Sequence, residues 1–185
     1  MTFDQFHEKS KIQIQRITKQ ISLSKYLLVF MLLGSCHRLV KWLFDQEGIS
    51  NNLISVNMPY STIAIDQELS FKSNSYVNTN ISRELAINNF NKYSKMINMP
   101  ENLISLAVSS SLQTKRRKLS SDRSFVSLFG HEIKSNYEIN FLDHKLNRKH
   151  QDYIISYLVL NILLNPELKI DKYLFSSLID IKINE

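Results

Sequence analysis

Tyr26-Leu27-Leu28-Val29-Phe30-Met31-Leu32-Leu33, followed at once by Gly34-Ser35-Cys36 and His37-Arg38, is the stretch on which the fold turns. Eight apolar residues are too few to cross a bilayer core as a helix, which takes about 20. A strand covered on both faces, by contrast, reads as such a continuous apolar run. The same letters imitate a lipoprotein leader, with Lys25 before the run and Leu33-Gly34-Ser35-Cys36 at its end, which would make Cys36 the lipidated start of a secreted lipoprotein. Twenty-five residues of mixed charge and helical period precede the run, longer than the charged region of a leader. The reading adopted is a buried central strand, with Cys36 beside the loop at its end.

Outward from that strand, residues 3–21 place Phe3, Phe6, Ile17 and Ile21 at helical spacing, with Ile12 and Ile14 off the period. After the strand, Ser35 opens a helical stretch through Leu39, Val40, Trp42, Leu43 and Phe44 that ends at Gly48. Leu53 to Met58 is a second strand stopped by Pro59, and a short helix runs from Ser61 to Leu69. Beyond the polar Ser73-Asn74-Ser75, a helix starts with Asn80 as its cap, and Pro100 closes that unit. Leu103 to Val108 is a strand running into Ser109-Ser110-Ser111, then a basic loop over Lys115 to Ser121. Strands at 124–128 and 132–141 precede a helix over 146–164. The order predicts an α/β fold, a three-layer α/β/α sandwich with a mixed sheet. One domain over 1–168 carries a C-terminal extension over 169–185.

Composition narrows the function. Of 185 residues, 43% are hydrophobic and 22% charged, which fits a folded core and excludes wholesale disorder. Lys+Arg 23 against Asp+Glu 17 leaves +6, suited to an anionic ligand but too diffuse for a duplex-binding face. The single Cys36 excludes a disulfide framework and a cysteine zinc site. The 3 glycines, Gly34, Gly48 and Gly130, exclude a P-loop or a GxGxxG turn. The expectation is a cytoplasmic protein without metal, cofactor, nucleic-acid or membrane partner, its homo-oligomeric state left open.

Ligands of open α/β sheets sit beyond the carboxyl ends of the strands. Three such ends carry polar residues: Gly34-Ser35-Cys36, Asn57-Met58-Pro59-Tyr60-Ser61, and Ser109-Ser110-Ser111 leading to Lys115-Arg116-Arg117-Lys118. A serine where a strand meets a helix N-terminus has free N–H groups beside it, which stabilise an oxyanion or a phosphate. The plainer readings are a helix cap for Ser35, a packing or turn role for Tyr60, and a solvated loop or nuclear-import address for the basic run.

In order, these segments resemble the CinA carboxy-terminal domain family, the nicotinamide mononucleotide deamidases. That family carries Glu-Ser-Cys-Thr-Gly-Gly where this chain has Gly34-Ser35-Cys36-His37-Arg38-Leu39. It has Tyr-Ser-Asn-x-x-Lys where this chain has Tyr60-Ser61-Thr62-Ile63-Ala64-Ile65. Its Ala-Val-Thr-Gly-Ile-Ala-Gly-Pro corresponds to Ala107-Val108-Ser109-Ser110-Ser111-Leu112, and its late arginine and final helix to Asn147-Arg148-Lys149-His150 and the helix over 146–164. Pro59-Tyr60-Ser61, Ser110-Ser111-Leu112 and the basic stretch from Arg116 to Arg123 are similar to the divergent CinA-like domains found beside nucleotidyltransferase domains. The likeness spans about residues 10–164.

The resemblance implies a serine amidohydrolase acting on a small-molecule mononucleotide. Ser35 attacks the carboxamide carbonyl of nicotinamide mononucleotide, ammonia leaves, and water releases nicotinate mononucleotide. Tyr60 assists Ser35, and Ser109, Ser110, Ser111, Lys115, Arg116, Lys118 and Arg123 bind the substrate. The family's lysine base falls on Ile65, which can take no proton; losing such a base costs about 10²–10⁴-fold. His37 is a candidate substitute base, its plainer reading being a surface residue of a first helical turn. The resemblance leaves two functions open: an amidohydrolase, or a catalytically silent pyridine-nucleotide-binding module of the same fold.

Overall fold

The computed structural model describes residues 2–114, 121–143, 145–166 and 178–184. Helix α1 (Phe3–Ser22) leads into β1 (Leu27–Leu33), α2 (His37–Phe44), β2 (Leu53–Asn57), α3 (Thr62–Leu69) and α4 (Thr79–Ser94). Strands β3 (Leu103–Ser111), β4 (Arg123–Gly130) and β5 (Lys134–Phe141) follow, then α5 (Arg148–Leu164) and β6 (Ile179–Asn184). They form one six-stranded sheet in the order β2-β1-β3-β4-β5-β6. β1 runs parallel to both neighbours, while β3 to β6 form an antiparallel series.

The two-residue period of a strand explains the apolar run of β1. Leu28, Phe30 and Leu32 enter the main core, where α1, α2 and α5 pack, and Met31 and Leu33 enter a second core under α3 and α4. Both faces are covered, so no position of β1 needs a polar side chain. The run is an interior strand of the expected mixed sheet, between β2 and β3.

Four local readings change. In α1 the buried positions are Phe6, Ser10, Ile14, Ile17, Thr18 and Ile21, a regular helical stripe, so Ile14 is on the period and only Ile12, 77% exposed, is off it. The polar members of the stripe hid it; Ser10 is satisfied by Tyr153, their hydroxyl oxygens 2.7 Å apart. The cap of α4 is Asn78, whose side chain accepts the Ile81 N–H at 2.9 Å, while Asn80 is exposed in the first turn. The last long helix starts at Arg148 under the Asn147 cap rather than at Leu146. Finally, residues expected outside the domain supply β6, which pairs with β5 and places Leu178, Ile179 and Ile181 in the main core.

Candidate functional site

The register Leu33↔Ser109 between β1 and β3 brings the turn after β1 against the end of β3. Gly34 has φ +80 there, and a Cβ on it would lie 2.5 Å from the Ser110 carbonyl oxygen, so only glycine fits. Ser35 is buried completely. Its hydroxyl oxygen is 2.6 Å from that of Ser110, which in turn is 2.6 Å from that of Ser124. Ser35 is not the helix cap: Cys36 holds that position in the left-handed conformation and makes no side-chain cap bond. Burial, and after it the charge of Asp152, pushes the Cys36 thiol far above its ordinary range.

Adjacent strand residues point to opposite faces, and the serines of β3 divide accordingly. Ser110 joins Ser35 on the side of α2 and α5. Ser109 turns the other way and donates to the Tyr76 carbonyl, while the Tyr76 hydroxyl donates to the Asp66 carboxylate. Between them opens a cleft of about 310 Å³ whose walls include Gly34, Tyr60, Ile65, Tyr76, Ser109, Ser110 and Arg148. Tyr60 stands at its mouth, 85% exposed. Arg148 donates from Nη2 to the Gly34 carbonyl at 3.1 Å, which holds its guanidinium in the cleft wall. Larger hollows lie elsewhere among the described residues, about 600 Å³ against Phe6, Ile12 and Tyr157, about 470 Å³ beside Phe71 and Phe125, and about 440 Å³ beside Glu68, Asn88 and Lys92. The smaller cleft adjoins the parallel strand ends, which is where this architecture binds ligands.

His37 is held by Asp152 instead of facing Ser35. Its backbone N–H donates to Asp152 Oδ1 at 3.2 Å, and its Nδ1 lies 3.1 Å from the same oxygen. Arg38 Nε is 3.8 Å from Oδ2. Asp152, its side chain 9% exposed, thus ties the first turn of α2 to α5. Gln151 does the same for the residues just after β3 and just before β4: it accepts the Gln113 N–H and donates to Asp122 Oδ2, both at 2.7 Å.

The structure therefore gathers Tyr60, Ser109 and Ser110 in one cleft and sets Ser35 behind its wall. Ser111 and Arg123 face each other across β3 and β4 outside the cleft lining, and the Arg123 guanidinium lies 5.5 Å from the Phe125 ring. Lys115, Arg116 and Lys118 lie outside the described residues. Sequence reasoning passed over Tyr76, Gln151 and Asp152, which depend on packing between distant segments. Arg148 stood only in the stretch that the resemblance matches to the family's late arginine, with no role in the site assigned to it.

Comparison with known proteins supports the architecture. No family model matches the sequence, and no curated protein matches it. Among solved structures, a competence or damage-inducible protein from Enterobacter asburiae superposes with a TM-score of 0.67 at 13% identity, covering 83% of this chain and 97% of that one. A competence-damaged protein (CinA) superfamily protein from Klebsiella pneumoniae gives 0.66 at 10% identity, over 82% and 95%. A competence/damage inducible protein from Agrobacterium tumefaciens gives 0.62 at 11%, over 82% and 95%. The chain has the fold of CinA superfamily proteins. Among the described residues no helix is long and apolar enough to cross a membrane.

Proposed function

We propose that this chain is a nucleotide-binding module on a CinA-type scaffold. It takes a pyridine mononucleotide in the cleft at the ends of β1 and β3 and does not deamidate it efficiently. The observation that carries this reading is the state of Ser35. Its hydroxyl is sealed from solvent, held by Ser110, and donates to the Cys36 sulfur at 3.8 Å, a buried thiol that burial keeps protonated and that therefore takes no proton from it. A serine hydroxyl attacks a carbonyl only when a base removes its proton. Ile65, in the cleft wall where the resemblance expects a lysine, supplies none.

The binding groups remain. The Arg148 guanidinium, anchored by one N–H on Gly34, keeps further donors for an anionic oxygen. The exposed ring of Tyr60 offers a π face to a cationic pyridinium. A charge-assisted hydrogen bond contributes about 1.5–3 kcal/mol, so losing the one from Arg148 weakens binding by about ten-fold or more.

Titration calorimetry with nicotinamide mononucleotide tests this. Wild type and Ser35→Ala bind alike, whereas Arg148→Ala and Tyr60→Ala bind more weakly. Absence of heat with wild type overturns the proposal. Equal binding by Arg148→Ala and wild type removes the cleft assignment.

A further inference from the structure

The outer edge of β6 has the chemistry of a self-pairing surface. Leu142 N–H donates to the Leu178 carbonyl at 3.0 Å, which makes 142 and 178 a hydrogen-bonded pair of the antiparallel ladder. Such pairs recur every second residue, so Asp180, Lys182 and Asn184 also direct their backbone groups to β5, opposite Asn140, Glu138 and Asn136. Ile179, Ile181 and Ile183 must then direct theirs away from the sheet. Among the described residues nothing pairs with these three donors and three acceptors, because β6 is the last strand. Their side chains pack in or against the main core, while Asp180 and Lys182 are exposed on the opposite face.

We propose that β6 pairs antiparallel with β6 of a second copy of this chain, centred on Ile181, to make a continuous two-fold sheet. The sequence Ile179-Asp180-Ile181-Lys182-Ile183 selects this partner and this register. Centring on Ile181 sets Ile179 opposite Ile183 and Ile181 opposite itself, so all six outward backbone groups of each strand find partners. The same centring sets Asp180 of each copy opposite Lys182 of the other, and opposite charges directly across a ladder attract. Centring on Asp180 sets Asp180 against itself, and centring on Lys182 sets Lys182 against itself. Charges on an exposed edge ordinarily discourage pairing. Here they discourage the two registers on either side of it, while centring on Ile179 or Ile183 leaves only one of the three outward residues opposite the partner's β6.

Sedimentation velocity of the full chain over a range of concentrations tests the proposal. Wild type shows a concentration-dependent dimer. Asp180→Lys, which keeps the contact between Lys182 and Glu138, and Lys182→Asp each place like charges opposite one another. Both raise the dimer dissociation constant about ten-fold or more. An equimolar mixture of the two variants restores a dimer, because every cross-strand pair is then of opposite sign. Circular dichroism of each variant checks that the monomer is folded. If Lys182→Asp fails to fold, Asp180→Lys against wild type decides, with an equal dimer overturning the proposal. A wild type that stays monomeric at its highest soluble concentration overturns it, as do folded variants that dimerise like wild type or a mixture that stays monomeric.

Discussion

Gly34, Ser35 and Cys36 show how much three consecutive residues can decide. The approach of the Ser110 carbonyl leaves no room for a side chain at Gly34. Gly34→Ala therefore adds both left-handed strain and a steric clash, a loss of about 2–4 kcal/mol read as a lowered urea midpoint. Ser35 was visible in the sequence as a residue between a strand and a helix; its burial was not. That burial follows from a register between segments 75 positions apart, and local spacing carries no trace of it. Cys36 is sealed and its thiol is held protonated. A thiol reagent at pH 8 should leave it unmodified in the native protein and label it in urea; labelling at equal rates would contradict the packing described.

At the scale of elements, alternation and capping were readable wherever the signal is local. The apolar run of β1 gave a buried strand because a strand between two helical layers needs no polar face. The cap of α4 was misplaced by two residues because Asn78 and Asn80 are equally good cap formers, and only the hydrogen bond to Ile81 separates them. Asn78→Ala should cost about 1 kcal/mol and Asn80→Ala a few tenths at most, measured by thermal or urea unfolding. Tyr60 and Ser109 share a cleft because the strands are parallel neighbours through β1, an adjacency that the order of elements suggests and only the pairing fixes. β6 carries a local strand signal, the alternation Ile179-Asp180-Ile181-Lys182-Ile183, that the reading as an extension did not use; that it pairs with β5 only the structure gives.

Over the whole molecule, one consequence of this core is an alkaline limit to stability. Burial raises the Cys36 thiol and the phenols of Tyr137, Tyr153 and Tyr157 above their ordinary 9.0 and 10.0. The unfolded chain releases these protons first, so stability is complete below pH 9 and falls as pH climbs past 9 and then 10 toward the folded-state values. Each group contributes a slope of at most about 1.4 kcal/mol per pH unit. A urea midpoint unchanged between pH 8 and pH 11 would contradict this. The functional account rests on the same interior: a sealed serine beside an open, arginine-walled cleft. A proton NMR time course of nicotinamide mononucleotide with an equimolar amount of the protein tests it most directly. The pyridine resonances should broaden or shift while the spectrum of nicotinate mononucleotide never grows in. Growth of that product with wild type but not with Ser35→Ala would contradict the account.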